Sequence, residues 1–147
     1  MLAALASVTF IIEGLFPPLI VPGAKMGLSN IFSLLAVVLF SPVDGAILVA
    51  VRTTIGALVT GSMSAWLYSF SAGVVSVAVS GFLYRLAGDR LSLLSISVAA
   101  AVAHNVTQNT VFCLITSTPE MYAYLPYLAA VGVPAGVQGA VFSISNV

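Results

Sequence analysis

A short run of polar side chains interrupts a long apolar stretch in the second half of the chain. It reads His104-Asn105-Val106-Thr107-Gln108-Asn109, and the residues before it are almost all apolar. With about 3.6 residues per helical turn, His104 and Gln108 lie one turn apart on a helix, as do Asn105 and Asn109. Amide and imidazole groups grouped in this way can hold a small polar solute through hydrogen bonds.

Ser97 falls on the same helical face, and we call the five residues Ser97, His104, Asn105, Gln108 and Asn109 the polar stripe. They occupy an arc of about 140° on a helix. A single buried asparagine usually joins two helices by a hydrogen bond. Four amide or imidazole groups exceed what a few neighbouring backbone groups normally satisfy. We therefore predict a stripe that faces the interior and binds solute, with interhelical hydrogen bonding as the alternative.

Two charged residues, Glu13 and Arg52, also fall within apolar runs. An unpaired charge at membrane depth costs about 2.5–3.5 kcal/mol even on a lenient insertion scale. We predict that the two form a structural ion pair, and alternatively that Arg52 binds an anionic group of a solute. Lys25 and Asn30 follow a proline-rich segment and are predicted to line the entrance. The predicted solute-binding residues are thus His104, Asn105, Gln108, Asn109, Arg52, Lys25 and Asn30.

The composition indicates that lipid is the solvent of this protein. Of 147 residues, 61% are hydrophobic and 5% are charged, and the mean hydropathy is +1.18. Too little polar surface remains for a water-soluble globule. The net charge is zero, which gives no reason to expect a nucleic-acid partner.

Apolar runs predict an all-α membrane protein, a single domain over residues 1–147 with six transmembrane helices. The predicted spans are 1–16, 26–40, 45–60, 66–86, 91–115 and 127–147. Arg85 and Arg90 lie at the adjoining ends of the fourth and fifth predicted spans. Cytoplasmic loops carry the excess of cations. We therefore predict that both termini are cytoplasmic.

Three features between and within the spans add to this prediction. The segment 17–23 contains three prolines yet is apolar, so it either roofs a cavity or forms a stiff interfacial loop. Small residues recur at helical spacing and predict close helix packing. They are Ser69, Gly73, Ser76 and Ser80 in the fourth span, and Gly132, Gly136 and Ala140 in the sixth. A less regular set in the first span, Ala3, Ala6 and Ser7, could dock a membrane partner.

Motifs for common enzymatic chemistry are missing from the sequence. It contains no Gly-x-x-x-x-Gly-Lys-Ser/Thr phosphate loop, so the chain is not expected to hydrolyse ATP itself. Asp44 and Asp89 are isolated, so we find no carboxylate cluster for magnesium, and no nucleophile with a supporting His and acid. We predict no enzymatic activity, no metal and no cofactor.

These residues resemble those of the Gx transporter family, often labelled heptaprenyl diphosphate synthase component I. The resemblance extends almost from end to end. It rests on Glu13, Arg52, the string Pro22-Gly23-Ala24-Lys25-Met26-Gly27-Leu28-Ser29-Asn30, the string Gly56-Ala57-Leu58-Val59-Thr60-Gly61, the string Ala103-His104-Asn105-Val106-Thr107-Gln108, the string Leu125-Pro126-Tyr127-Leu128 and the string Gly132-Val133-Pro134-Ala135-Gly136.

That family is similar to the substrate-binding S components of energy-coupling factor (ECF) transporters. The resemblance implies a six-helix bundle in the plasma membrane, with a solute site toward the outer face beneath the first loop. It also implies a transmembrane T component and two ATPases as partners. The solute could be a vitamin, a flavin or an isoprenoid or quinone precursor. The alternative is a non-transporting accessory or anchor subunit of a prenyl diphosphate synthesis or redox assembly.

Overall fold

Six α-helices and one short 3-10 helix form the part of the chain that the computed structural model describes, residues 1–15, 29–87 and 90–145. The 3-10 helix is Pro119–Tyr124. The α-helices are α1 Leu2–Leu15, α2 Ser29–Leu39, α3 Pro42–Thr60, α4 Met63–Ala87, α5 Leu93–Thr116 and α6 Leu125–Ser145. No β-strand occurs in these residues. The predicted all-α class is confirmed.

Helix length separates four of these elements from the other two. α3, α4, α5 and the combined stretch Pro119–Ser145 are long and apolar enough to cross a membrane. α1 has 14 residues and α2 has 11, so they cover about 21 and 17 Å, less than a hydrocarbon core of about 30 Å. The described lengths therefore support four of the six predicted spans. α1 and α2 border residues 16–28, which lie outside the described part.

The ends of α3 show how local sequence fixes a helix in this protein. The Ser41 side chain accepts a hydrogen bond from the Asp44 backbone N–H, and Pro42 occupies the first turn. Both are standard helix-start signals, because a proline there loses no helical hydrogen bond. Gly61 ends the helix with φ of 66° and donates its N–H to the Ala57 carbonyl. The helix thus begins at Pro42, three residues before the predicted span 45–60.

α2 is the most enclosed helix of the bundle. It packs against α1, α3, α4 and α6, and seven of its eleven residues are buried. α5 packs between α4 and α6, and α3 packs between α1 and α4. The outer surface is apolar, with Leu58, Leu86 and Leu114 at least 70% exposed. Because longer helices surround α2, its polar side chains lie inside the protein. Lipid can cover the apolar outer surface.

α5 and α6 approach each other closely because α6 presents small residues to its neighbour. A Cβ atom added at Gly136 would lie 2.5 Å from Val98 Cα, and one at Gly132 would lie 3.1 Å from Val102 Cα. Both neighbours are backbone atoms, which cannot move aside as a side chain can. The predicted packing face of the sixth span is confirmed.

Candidate functional site

The polar stripe lies on α5 and points into the bundle. All five of its side chains are buried, with exposed fractions between 4% and 6%. Burial of this face agrees with the prediction from helical periodicity. The environment then decides what each group does, because a buried polar atom needs a partner.

Three members of the polar stripe form hydrogen bonds that join α5 to α6 and to the 3-10 helix. Ser97 Oγ donates to the Gly136 carbonyl at 2.6 Å, and Asn105 Nδ2 donates to the Leu128 carbonyl at 3.0 Å. Asn109 Nδ2 donates to the Met121 carbonyl of the 3-10 helix at 3.1 Å. These bonds match the alternative of interhelical hydrogen bonding. A solute-binding role for Asn105 and Asn109 remains a prediction, since each bond uses the amide nitrogen and leaves the side-chain oxygen.

We expect Asn105→Ala to weaken the contact between α5 and α6. The free energy of unfolding should fall by about 0.6 kcal/mol, and by at most about 1.7, the range measured for hydrogen bonds between membrane helices. Thr110→Ala is a matched control on the same helix, because Thr110 Oγ1 bonds only to the Val106 carbonyl one turn earlier. Unfolding by a denaturing detergent measures both variants. Equal losses for the two would contradict the interhelical role of Asn105.

His104 and Gln108 are the other two members of the polar stripe. They lie one and two turns beyond Ala100, whose carbonyl accepts a hydrogen bond from Ser76 Oγ of α4 at 3.0 Å. Among the described residues, the structure records no side-chain hydrogen bond for Gln108, although the side chain is only 4% exposed. Gln108 is therefore the amide of the stripe whose hydrogen-bonding capacity is least used by the fold.

Asn30 joins the stripe from α2. Its Nδ2 donates to Ser76 Oγ at 2.8 Å, so that α2, α4 and α5 are connected through Asn30, Ser76 and the Ala100 carbonyl. A cavity of about 10 Å³ beside Asn30 and Ser97 extends to α6, which is room for about one water molecule. Asn30 is 8% exposed. The structure thus places it inside the bundle and not at an exposed entrance.

Arg52 is the most deeply buried charge that the structure describes. Its side chain is 1% exposed, and its Nε and Nη1 atoms are buried with no hydrogen-bond partner. Its Nη2 atom lies against Gly73 of α4, 3.4 Å from where a Cβ would stand. A buried guanidinium with unused donors is costly. Its position therefore needs a counter-charge and hydrogen-bond acceptors.

Glu13 supplies the counter-charge. Its carboxylate attracts Arg52 electrostatically, and its Oε2 accepts a hydrogen bond from the backbone N–H of Ser29, the first residue of α2, at 3.3 Å. A carboxylate is favoured at that position because the N-terminus of a helix is partially positive. The ion pair of Glu13 with Arg52 stays a prediction. Nε and Nη1 of Arg52 do not bond to the carboxylate.

The sequence interpretation missed one wall of this region. Ser69 and Gly73 were assigned to helix packing alone, yet Ser69 Oγ is buried without a hydrogen-bond partner and Gly73 contacts Arg52. A serine in a row of small residues on an apolar helix was the available signal, because each serine brings a donor and an acceptor to the interface. Lys25 and the proline-rich segment 17–23 lie outside the described residues.

Two of the three small residues predicted to dock a partner from α1 are buried inside the bundle. Ala6 is 0% exposed and Ser7 is 5% exposed, and Ala6 packs with Ala36 and Leu48 of α2 and α3. Their small size allows α2 and α3 to approach α1. Ala6 and Ser7 are therefore not available to a membrane partner, and docking through the partly exposed Ala3 stays a prediction.

An apolar outer surface around a buried polar interior defines a helical membrane protein. The family comparison agrees with this class. The chain belongs to the heptaprenyl diphosphate synthase component I family, whose profile matches residues 2–144. Comparisons with curated proteins and with solved structures give no match.

Proposed function

We propose that this chain is the substrate-binding S subunit of an ECF-type importer for a small solute. The observation that carries the proposal is Arg52, a buried cation of α3 with unused hydrogen-bond donors. Intramembrane ionisable residues of this kind mark solute pathways. In the proposal the chain is a six-helix bundle in the plasma membrane with both termini in the cytoplasm, and it binds solute without transforming it.

The resemblance to S components supports the proposed partners, a transmembrane T component and two ATPases. Because Ala6 and Ser7 are buried, the proposal needs a docking surface elsewhere. The exposed face of α3 offers apolar side chains for a membrane partner, among them Ile47, Leu58 and Val59, which are 56%, 79% and 61% exposed.

Mass spectrometry of complexes extracted in mild detergent tests the proposal. We expect a transmembrane T component and ATPases to co-purify with the chain. Extraction in a harsh detergent that dissociates membrane complexes is the control, and it should release them. Reproducible recovery of soluble prenyl-synthesis or redox subunits, with no ATPase, would contradict the importer and favour the second candidate.

The second candidate is a non-transporting accessory subunit of a prenyl diphosphate synthesis or redox assembly. The family description names a synthase component, and the bonds of Asn105 and Asn109 show that part of the polar stripe serves protein contacts. On this proposal the polar interior stabilises the bundle and takes no solute. Arg52 with its unused donors favours the importer over this candidate.

A further inference from the structure

We propose that the interior of the bundle binds an oxoanion, a carboxylate or phosphate group, between Arg52 of α3 and Ser69 of α4. The inference rests on the proposed function, because the oxoanion belongs to the imported solute. It adds the chemical class of that solute and a binding residue, Ser69, that sequence interpretation assigned to packing.

Contacts between α3 and α4 place Arg52 and Ser69 at the same height along the two helices. The two helices are consecutive and run antiparallel through the turn at Gly61. Val49 lies against Gly73, and Trp66 Nε1 donates to Thr54 Oγ1 at 3.3 Å. Arg52 therefore faces the turn of α4 between Ser69 and Gly73. Its Nη2 atom already reaches Gly73, 3.4 Å from where a Cβ would stand, and Val49 Cγ1 lies 2.5 Å from the same point.

The hydrogen-bonding groups of this region lack acceptors. A guanidinium carries five N–H donors, and three of them belong to Nε and Nη1, which have no partner in the described chain. Ser69 Oγ adds one more unused donor in a side chain that is 2% exposed. Carboxylate and phosphate oxygens only accept at neutral pH, and they match guanidinium geometry. The unused groups thus have the chemistry of an oxoanion site.

The charge of Glu13 does not satisfy this site. Its carboxylate attracts Arg52 but also accepts from Ser29 at the positive end of α2, and that end stabilises part of its charge. Nε and Nη1 remain available to another acceptor, because they have no bond to give up before it binds.

Asn30 indicates what the rest of the solute carries. Its Nδ2 donates to Ser76 Oγ. Ser76 lies nearly one turn from Gly73 on the same face of α4. The Asn30 Oδ1 atom is buried and has no donor. A solute that carries a hydroxyl, amine or amide N–H besides its oxoanion would serve both ends.

Thermal unfolding of the purified full chain in detergent tests the site with sodium acetate and with inorganic phosphate as separate probes. Sodium chloride at matched ionic strength and neutral acetamide are the controls. We expect at least one oxoanion to raise the Tm, because a ligand that binds the folded state stabilises it. Arg52→Met should abolish the shift. Ser69→Ala should weaken the apparent affinity by about tenfold, as expected for loss of a hydrogen bond to a charged group.

The variants have controls for folding and for general charge effects. Arg52→Met leaves Glu13 half-buried and bonded to the Ser29 N–H, so the variant should keep its helical content and its elution as a single species. Arg85→Met removes an exposed arginine and should keep the full shift. No shift with either oxoanion, the same shift with acetamide, or a shift that persists in Arg52→Met would each overturn the inference.

The two proposals fail in different ways. An Arg52-dependent shift without co-purifying ATPases would leave the oxoanion site in place and contradict the importer. Co-purifying ATPases with no oxoanion-dependent shift would contradict the oxoanion site alone.

Discussion

Gly136→Ala is expected to destabilise the protein by about 1–3 kcal/mol, the usual cost of overpacking a filled interface. The new methyl group would lie 2.5 Å from Val98 Cα and 2.8 Å from Val98 N. These are backbone atoms of α5, so the two helices would have to separate. Separation would also lengthen the 2.6 Å bond from Ser97 Oγ to the Gly136 carbonyl. The loss should therefore approach the upper end of the range.

Unfolding by a denaturing detergent, followed by circular dichroism, measures this change in stability. Ala130→Val is the matched control, because Ala130 lies on the exposed side of α6 and its added methyl groups would meet lipid or detergent. We expect that variant to unfold like the natural protein. A Gly136→Ala protein as stable as the natural one would show that α5 and α6 are not in close contact at Gly136.

Arg52→Glu should have the second large effect, a loss of more than about 3 kcal/mol, comparable to leaving a buried charge without its partner. The substitution would place two carboxylates near each other, since Glu13 already attracts Arg52. It would also bury a negative charge in a side chain position that is 1% exposed. The amount of protein in the membrane fraction and the unfolding midpoint both report this loss. Glu120→Lys, a charge reversal at an exposed residue, should change neither.

The double variant Glu13→Arg, Arg52→Glu separates ion pairing from the other role of Glu13. Pairing alone predicts full recovery, because the two charges only exchange places. We expect partial recovery, because position 13 also accepts a hydrogen bond from Ser29 at the N-terminus of α2, where a cation is unfavourable. Complete recovery of stability would show that the contact with Ser29 contributes nothing.

Hydropathy predicted the four long helices well because their apolar runs end at polar or turn residues. The predicted spans 66–86 and 91–115 differ from Met63–Ala87 and Leu93–Thr116 by three residues or fewer at each end. The errors in the predicted helix starts arise where a capping hydrogen bond, and not hydropathy, sets the first residue of the helix. Ser62 Oγ accepts from the Ala65 N–H, and α4 starts earlier than predicted. Ser92 Oγ accepts from the Ser95 N–H, and α5 starts two residues later than predicted.

Helical periodicity also predicted which face of α5 is buried, but it could not predict the partners of that face. The backbone carbonyls that bind Ser97, Asn105 and Asn109 belong to residues 12 to 39 positions away in the chain. Their positions depend on how closely α6 packs, and this depends on Gly136. A sequence pattern predicts the face of the helix on which a side chain lies. It does not predict the distance from that helix to its neighbour.

Ser69 was missed for a related reason. A serine in a row of small residues packs well whether or not its hydroxyl is bonded, so spacing alone cannot distinguish the two cases. Only the burial of Ser69 Oγ without a partner, together with the approach of Arg52 to Gly73, shows a polar surface on α4.

The backbone contact between α5 and α6 also bears on how the interior could open. Helices that touch through backbone atoms and through side-chain bonds to carbonyls interlock, and they cannot slide past each other without losing both. We therefore expect α5 and α6 to move as one rigid body. Any rearrangement that admits a solute to Arg52 would then fall to the other helices, among them α1 and α2, where Glu13 Oε2 accepts a hydrogen bond from the Ser29 N–H at 3.3 Å.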